Sequence, residues 1–271
     1  MTKILILFTC FNRKEKTKVC LESLAQNQNC KMSYIVLDDN SGDGTQEMLN
    51  IQENIVVLHG NGASFYSGGM RQAIEKAKSV DLTQYDYIMF INDDVCFFDG
   101  AIDRLVKYEN DKEKIIVGAV CSSSGEFSYG GVRKASRFKP SFKNVLIDEK
   151  DLSCDTCCAN CVLIPRKVFQ QLPNIDSIYH HAMGDFDYFF EARREGFFIV
   201  SSDFYVGECN DNPVRNGWRD NTLSRKARLK KKENVKGLPV KEWFYYLKKN
   251  HGLPVAIFYS LTPYVRILLK K

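Results

Sequence analysis

A chain of 271 residues, 44% hydrophobic and 26% charged, has the length and balance of one large α/β domain and is short for two independent ones. The formal charge of +5 gathers late, in Arg225 to Lys232 (RKARLKKK) and then Lys248, Lys249, Arg266, Lys270 and Lys271, which calls for an anionic partner or a solvated basic helix at that end. No run of about 20 apolar residues is present, which excludes a bilayer-spanning helix, and MTKILILFTCFNR reads as a first strand, not a signal peptide, so the ten cysteines are expected as small buried residues in a reducing cytoplasm.

The first element is the apolar run Lys3 to Phe8, a strand buried on both faces. Helical spacing follows over Lys16 to Gln26, then a strand at Tyr34 to Leu37 that ends abruptly in Asp38-Asp39-Asn40-Ser41-Gly42-Asp43-Gly44-Thr45. Gln46 to Asn50 begins a helix, Ile55 to Leu58 is a strand, and a Gly- and Ser-rich loop from His59 to Gly69 precedes a helix at Met70 to Lys78. Tyr87 to Ile91 is a strand ending in Asn92-Asp93-Asp94. Later come strands at Ile115 to Cys121 and Cys161 to Ile164, a helix at Asp185 to Glu195, and a short strand at Phe197 to Val200; after Asn210 the pattern is helical and basic. This alternation predicts βαβ units and a Rossmann-like, mostly parallel central sheet flanked by helices. Ligands of such sheets bind beyond the carboxyl ends of the strands, where the polar clusters Thr9 to Arg13, Asp38 to Thr45 and Asn92 to Asp94 all fall.

Adjacent carboxylates at the end of a buried strand repel each other and resist burial. A hard divalent cation, Mg²⁺ or Mn²⁺, relieves both costs by binding one or two carboxylates plus substrate phosphates; equally, Asp94 or Asp99 can cap the helix that follows. Asp38 and Asp39 suit a uracil or thymine N3–H, or a simple turn and cap. Asp185 and Asp187 open a helix where negative charge is favoured anyway; as a general base, one of them would take the proton from a sugar hydroxyl, a contribution of typically about 10²–10⁴-fold.

Taken together, TCFNR, LDDNSGDGT, INDDV and GDFDYFFEARREG resemble the motif series of glycosyltransferase family 2, whose members have the GT-A fold. The segments GGMR (Gly68 to Arg71), YGG (Tyr129 to Gly131), VLIPR (Val162 to Arg166) and H-x-x-GD-x-DY (His181 to Tyr188) are similar to a bacterial surface-polysaccharide, rhamnosyltransferase-like subgroup of it. The resemblance spans about residues 3 to 220. It implies that Thr9, Arg13, Asp38, Asp39, Gly69, Arg71, Asn92 and Asp93 bind the nucleotide sugar, that Asp94 holds the metal, and that Asp185 is the base of an inverting single displacement. Gly184 stands where the family usually has a second acidic residue; Asp187 is a candidate helper, and His181 and Trp218 are candidates on the acceptor side. A UDP-sugar is the favoured donor and dTDP-rhamnose the alternative; the acceptor is a saccharide or is lipid-linked.

The expected layout is a catalytic domain over 1–222, with a nucleotide half to about 100 and an acceptor half from about 101, and a helical extension over 223–271. The extension interleaves Trp243 to Leu247, Val255 to Leu261, Tyr264 and Ile267 to Leu269 with basic residues. That pattern fits a segment lying on the anionic inner face of the plasma membrane, making the protein peripheral and cytoplasmic. It also fits a helical pair packed on the catalytic domain or on the twin subunit of a homodimer. Cys154, Cys157, Cys158 and Cys161 are too crowded for a regular zinc site and are expected to flank a buried strand. Two other classes compete. A nucleotidyltransferase would want a glycine-rich phosphate loop that TCFNRKEK lacks; a non-catalytic sugar- or nucleic-acid-binding protein would not need Asp94 and Asp185, and no nucleic-acid partner is expected.

Overall fold

The structure is a computed structural model that describes residues 1–108, 113–210 and 216–269; Lys270 and Lys271 of the basic tail lie outside the described residues. The elements of the first half are β1 (Thr2–Cys10), α1 (Lys14–Leu24), β2 (Cys30–Asp38), α2 (Thr45–Asn50), β3 (Ile55–His59), α3 (Phe65–Lys78), β4 (Tyr87–Ile91), β5 (Cys96–Phe97) and α4 (Ala101–Tyr108). Then come β6 (Ile115–Cys121), β7 (Phe127–Tyr129), β8 (Gly131–Lys134), β9 (Phe142–Asn144), β10 (Thr156–Cys157), β11 (Cys161–Pro165), α5 (Arg166–Gln171), α6 (Gly184–Arg194), β12 (Ile199–Glu208), α7 (Arg225–Glu233), α8 (Val240–His251) and α9 (Leu253–Leu268).

The central sheet has the order β3-β2-β1-β4-β11-β6-β12-β5, with β7 paired to β6. Strands β1 to β4 are mutually parallel, as the alternation of strands and helices requires. The sheet as a whole is mixed: β6 and β12 run with β1 to β4, and β5, β7 and β11 run against them. Strand β11 enters beside β4 at the edge where β4 ends, Cys161 facing Ile91, and runs antiparallel to both β4 and β6. No helical crossover is needed for an antiparallel entry, and the chain between β6 and β11 instead builds a small sheet, β10-β8-β9.

Two other boundaries differ from the periodicity. The last strand is β12, ten residues long rather than four, because its buried Ser201 and Ser202 interrupt the apolar pattern. Ser202 Oγ accepts from Ala119 N (2.9 Å) where the register with β6 shifts, so these serines belong to the ladder. Helix α3 begins at Phe65 rather than Met70, inside the stretch read as a loop. Its Gly69 has a reason: a Cβ there would collide with Thr9 Oγ1 and Leu37, so the helix can lie this close to β1 and β2 only with glycine.

Apolar residues pack on both faces of the sheet. One layer joins Leu24, Leu49, Ile102 and Leu105 of α1, α2 and α4; the other joins Met70, Ile74, Phe169 and Phe189 of α3, α5 and α6 with Tyr246 and Leu247 of α8. Helix α8 is therefore seated in the core. It is also tied down by polar contacts: Lys249 Nζ to Asp187 Oδ2 (2.7 Å), Asn250 Nδ2 to Asp187 Oδ1 (2.8 Å), His180 Nδ1 to Glu242 Oε1 (2.9 Å) and Tyr245 Oη to Asp176 Oδ2 (2.6 Å). Nor is the basic run of α7 uniformly solvated. Arg228 and Lys232, four residues apart, are buried, Arg228 donating to Trp218 O (2.8 Å) and Lys232 pairing with Glu233 (2.7 Å) beneath the Tyr264 ring. Helix α9 folds back on α8 through Ala256 and Ile267, and its outer face exposes Leu253, Ile257, Leu261, Val265 and Leu268. No described helix is long and apolar enough to cross a membrane.

Candidate active site

A cleft of about 770 Å³ opens at the carboxyl ends of β1, β2 and β4. Thr9, Arg13, Asp39, Asn92, Asp93, Asp94, His181 and Asp185 all line it, so residues up to 176 positions apart in sequence share one cavity. The local backbone is shaped for this. Asn12, Asn40, Phe65 and Met183 all have positive φ (51°, 62°, 52° and 70°) and flank or line the cleft. Asn tolerates that region; for Phe65 it is strained, and strain of this kind persists where surrounding contacts over-determine it.

Asp39 supplies those contacts. Its buried carboxylate accepts from the backbone N–H of Gly62 (2.9 Å), Ser64 (3.0 Å) and Phe65 (3.1 Å), pinning the start of α3 against the end of β2. Asp38 is fully buried and accepts from Ser41 N (3.2 Å) and Ser41 Oγ; it shapes the turn and does not reach the cleft.

Arg13 bridges the two carboxylates after β4, Nη1 lying 3.0 Å from Asp93 Oδ1 and 2.8 Å from Asp94 Oδ2. Thr17 donates to the other oxygen of Asp93 (3.1 Å). Burial, only partly offset by Arg13, pushes the Asp93 pKa up to about 6. Asp94 is more open, and among the described residues its Oδ1 has only a weak thiol contact from Cys209 at 3.6 Å. Burial and the Asp94 charge in turn push the Cys209 thiol up to about 12. Among the described residues no group of three His, Cys, Asp or Glu converges to hold a metal by itself. The donor set fits Mg²⁺ or Mn²⁺ in one way: Asp94 as a single hard ligand, with phosphate oxygens of a bound nucleotide completing the shell. Cys154, Cys157 and Cys161 are buried thiols around β10 and β11, and burial raises the pKa of each.

Asp185 sits on the first turn of α6, where Oδ1 accepts from Phe186 N (2.8 Å) and Oδ2 from Ala159 N (3.4 Å). Burial raises its pKa above the ordinary aspartate range, which makes the carboxylate a stronger base. Gly184 stands before it because α6 abuts α3 there. A Cβ would collide with Ser67 Oγ, so an acidic neighbour cannot be accommodated. His181 is held neutral: burial, helped by Lys236 and Arg13, lowers its pKa to about 4.

The other candidates lie elsewhere, each for a visible reason. Asp187 faces α8, where Lys249 and Asn250 bond its two oxygens, and it does not line the cleft. Arg71 Nη1 donates to Asp176 O (3.1 Å) and Tyr179 O (3.2 Å), bracing the segment that leads to Asp185. Gly69 serves the close packing of α3, and Trp218 lies outside the cleft with Arg219 against its ring. Conversely, the cleft recruits residues that periodicity could not nominate: Phe65 and Tyr66 from α3, Phe142 from β9, Phe186 from α6, and Lys236, Trp243 and Tyr246 from the C-terminal segment. A cluster of aromatics beside basic residues was the only sequence signal at 243–246, and it reads equally well as a membrane face.

The sequence model of glycosyl transferase family 2 matches residues 5–172, which include β1 to β4 and the Asp93–Asp94 pair. No curated protein matches the chain. Solved structures similar to it share its fold at low identity. S. aureus TarS superposes with a TM-score of 0.55 at 12% identity, over 92% of this chain and 42% of that one. Residues 1–349 of TarS in complex with UDP superpose with a TM-score of 0.55 at 12% identity, over 99% of this chain and 81% of that one. The mannosyltransferase PcManGT from Pyrobaculum calidifontis, in complex with GDP-Man and Mn²⁺, superposes with a TM-score of 0.54 at 11% identity, over 98% of this chain and 74% of that one. This chain thus spans less than half of the TarS chain it matches first.

Proposed function

Since the chain belongs to glycosyl transferase family 2, we propose that it moves a sugar from a nucleoside diphosphate sugar to a saccharide or lipid-linked acceptor, with inversion, in the assembly of a bacterial surface polysaccharide. The observation that carries this reading is that Asp94, the more open of the two carboxylates that follow β4, and Asp185, a carboxylate made more basic by burial, open onto one cleft. A UDP-sugar is the favoured donor, dTDP-rhamnose the alternative; similar structures hold UDP in one case and GDP-Man with Mn²⁺ in another.

The residues divide the work as follows. Thr9, Arg13, Asn92 and Asp93 line the donor end of the cleft, and the Arg13 guanidinium, already between Asp93 and Asp94, is placed to meet phosphate charge. Mg²⁺ or Mn²⁺ held by Asp94 and the donor phosphates would supply Lewis-acid neutralisation of the leaving diphosphate. Asp185 takes the proton from the acceptor hydroxyl as that oxygen attacks the anomeric carbon from the face opposite the diphosphate; one C–O bond forms as the other breaks, and no enzyme-bound sugar is needed.

The exposed apolar face of α9, with Arg266 on the same helix and Lys226 and Lys230 exposed on α7, supports a peripheral position on an anionic membrane at its cytoplasmic face. The test of the catalytic reading is calorimetric titration with UDP with and without Mn²⁺, followed by a donor panel scored for metal-dependent hydrolysis. Absence of Mn²⁺-dependent nucleotide binding would overturn it.

A further inference from the structure

A second cavity, of about 530 Å³, lies outside the cleft and shares no described lining residue with it. The turn between β8 and β9 supplies one wall with Lys134, Ser136 and Arg137, and the last turn of α8 supplies the other with Asn250 and His251. Two contacts fold that turn: Ala135 N donates to Ser141 O (2.8 Å), and Phe138 N donates to Ser136 Oγ (3.1 Å). The hydroxyl hydrogen of Ser136 is left as a donor.

Positive charge collects here with no carboxylate to answer it. Among the described residues no Asp or Glu lines the cavity. Arg137 is exposed and has no hydrogen bond or ion pair among the described residues, and the same holds for Lys139 and Lys143 of this hairpin. Lys134 is fixed in place, its Nζ donating to Asn250 O (2.9 Å) and lying 4.5 Å from the centre of the Phe190 ring. The Asp155 carboxylate accepts from the Lys134 backbone N–H (2.7 Å). Burial lowers the Lys134 pKa even so, with Arg194 adding to the effect. An anion in the cavity would relieve that cost.

The rim is apolar. Phe138, at the tip of the turn, is 75% exposed. Two residues past His251 the outer face of α9 begins, and its exposed Leu253, Ile257, Leu261, Val265 and Leu268 recur every three or four residues. A free phosphate or a nucleic acid would answer the cations and leave these apolar side chains in water. A phospholipid answers both, its phosphodiester against the guanidinium and its acyl chains against Phe138 and α9. Resting on the membrane position proposed above, we propose that this cavity seats the headgroup of an anionic phospholipid, with Arg137, Lys134 and Ser136 on its phosphate and Phe138 entering the bilayer beside α9. The protein then meets the membrane at two elements, the β8–β9 hairpin and α9, and two contacts fix its rotation on the surface where one helix would leave it free to roll. The His251 ring packs on Phe142 and Tyr246, with centroids 6.1 and 6.0 Å away, and both of those line the cleft. One imidazole thus separates the headgroup seat from the wall of the active site.

The experiment sediments the full-length protein with vesicles of phosphatidylcholine alone and of phosphatidylcholine mixed with phosphatidylglycerol. Binding should require the anionic lipid. Arg137→Gln should weaken it by at least about tenfold, the scale of a lost charge-assisted contact. Lys143→Gln removes the same charge from the same hairpin outside the cavity, and should weaken binding by no more than about fivefold, the scale of one basic residue near an anionic surface. Both side chains are exposed and unpaired, so neither variant should lower the melting temperature or the affinity for UDP. Phe138→Ser should weaken vesicle binding with no change of charge. Short-chain phosphatidylglycerol, kept below the concentration at which it forms micelles, should displace the protein from vesicles better than glycerol phosphate does. The seat is refuted if Arg137→Gln loses no more than Lys143→Gln, or if glycerol phosphate competes as well as the short-chain lipid. A parent protein that sediments with neither kind of vesicle would instead sink the membrane reading on which the seat rests.

Discussion

Replacing Asp187 by alanine separates a structural carboxylate from a catalytic one two residues away. Asp187 is 3% exposed and accepts two short hydrogen bonds, from Lys249 at 2.7 Å and from Asn250 at 2.8 Å. Removing one partner of a buried ion pair costs about 3–5 kcal/mol when the other is stranded. Here the partners are only partly stranded. Lys249 keeps Glu191 at 3.2 Å and some access to solvent, and Asn250 keeps Tyr246 O at 3.1 Å. The expected loss is therefore about 2–4 kcal/mol, below the full figure for a stranded charge. At about 2–4 °C per kcal/mol for a chain of this size, the melting temperature should fall by roughly 4–16 °C. Urea unfolding and a thermal scan read the stability; UDP affinity in Mn²⁺ and donor hydrolysis, measured well below the transition, read the site. Donor binding should survive. Unchanged stability together with loss of hydrolysis at saturating donor would refute the reasoning and return Asp187 to the chemistry.

Four further outcomes are expected. Asp185→Asn should cut transfer by at least about 10² with donor binding retained, and should melt at or above the parent's temperature at pH 7: its folded pKa is raised by burial, so the stability it contributes is present below the unfolded pKa and lost as pH rises through the folded one. By the same sign, transfer by the parent should fall as pH drops through a limb lying above the ordinary aspartate range, and a limb at or below that range contradicts the assignment. Asp94→Ala should abolish Mn²⁺-dependent UDP binding in calorimetry; a variant that transfers normally in EDTA would rule out the metal role. Gly184→Glu should lower the melting temperature and fail to raise activity, because its Cβ meets Ser67; a stable, faster enzyme would show that α6 and α3 can separate. Finally, Ile257→Glu with Leu261→Glu should abolish co-sedimentation with anionic vesicles at low salt without lowering the melting temperature, since both side chains are more than half exposed. If the parent does not sediment but weighs as a dimer that the variant dissociates, α9 is a subunit interface instead.

Local chemistry was enough to locate the carboxylates. A buried parallel strand is an uninterrupted apolar run, so β1, β2 and β4 and their polar ends are legible one segment at a time, and Asp39, Asp93, Asp94 and Asp185 all follow from where such runs stop or where a helix begins. What local pattern does not encode is direction and depth. The antiparallel insertion of β11 depends on which edge the returning chain meets, and the length of β12 depends on Ser201, which pairs with Val117, and Ser202, which accepts from Ala119 N, contacts that exist only once the sheet is assembled. Depth decides between like residues side by side: Asp38 turns inward to Ser41 while Asp39 reaches the cleft, and Asp185 faces the cavity while Asp187, half a helical turn on, faces α8. The tail shows the limit most plainly. Its residues 243–247 read as an amphipathic surface segment because aromatic and basic side chains have the same periodicity on a membrane or on a protein core. Only the packing of Tyr246 and Leu247 into the layer beneath α6, which depends on contacts with residues more than 50 positions away, makes α8 a wall of the cleft.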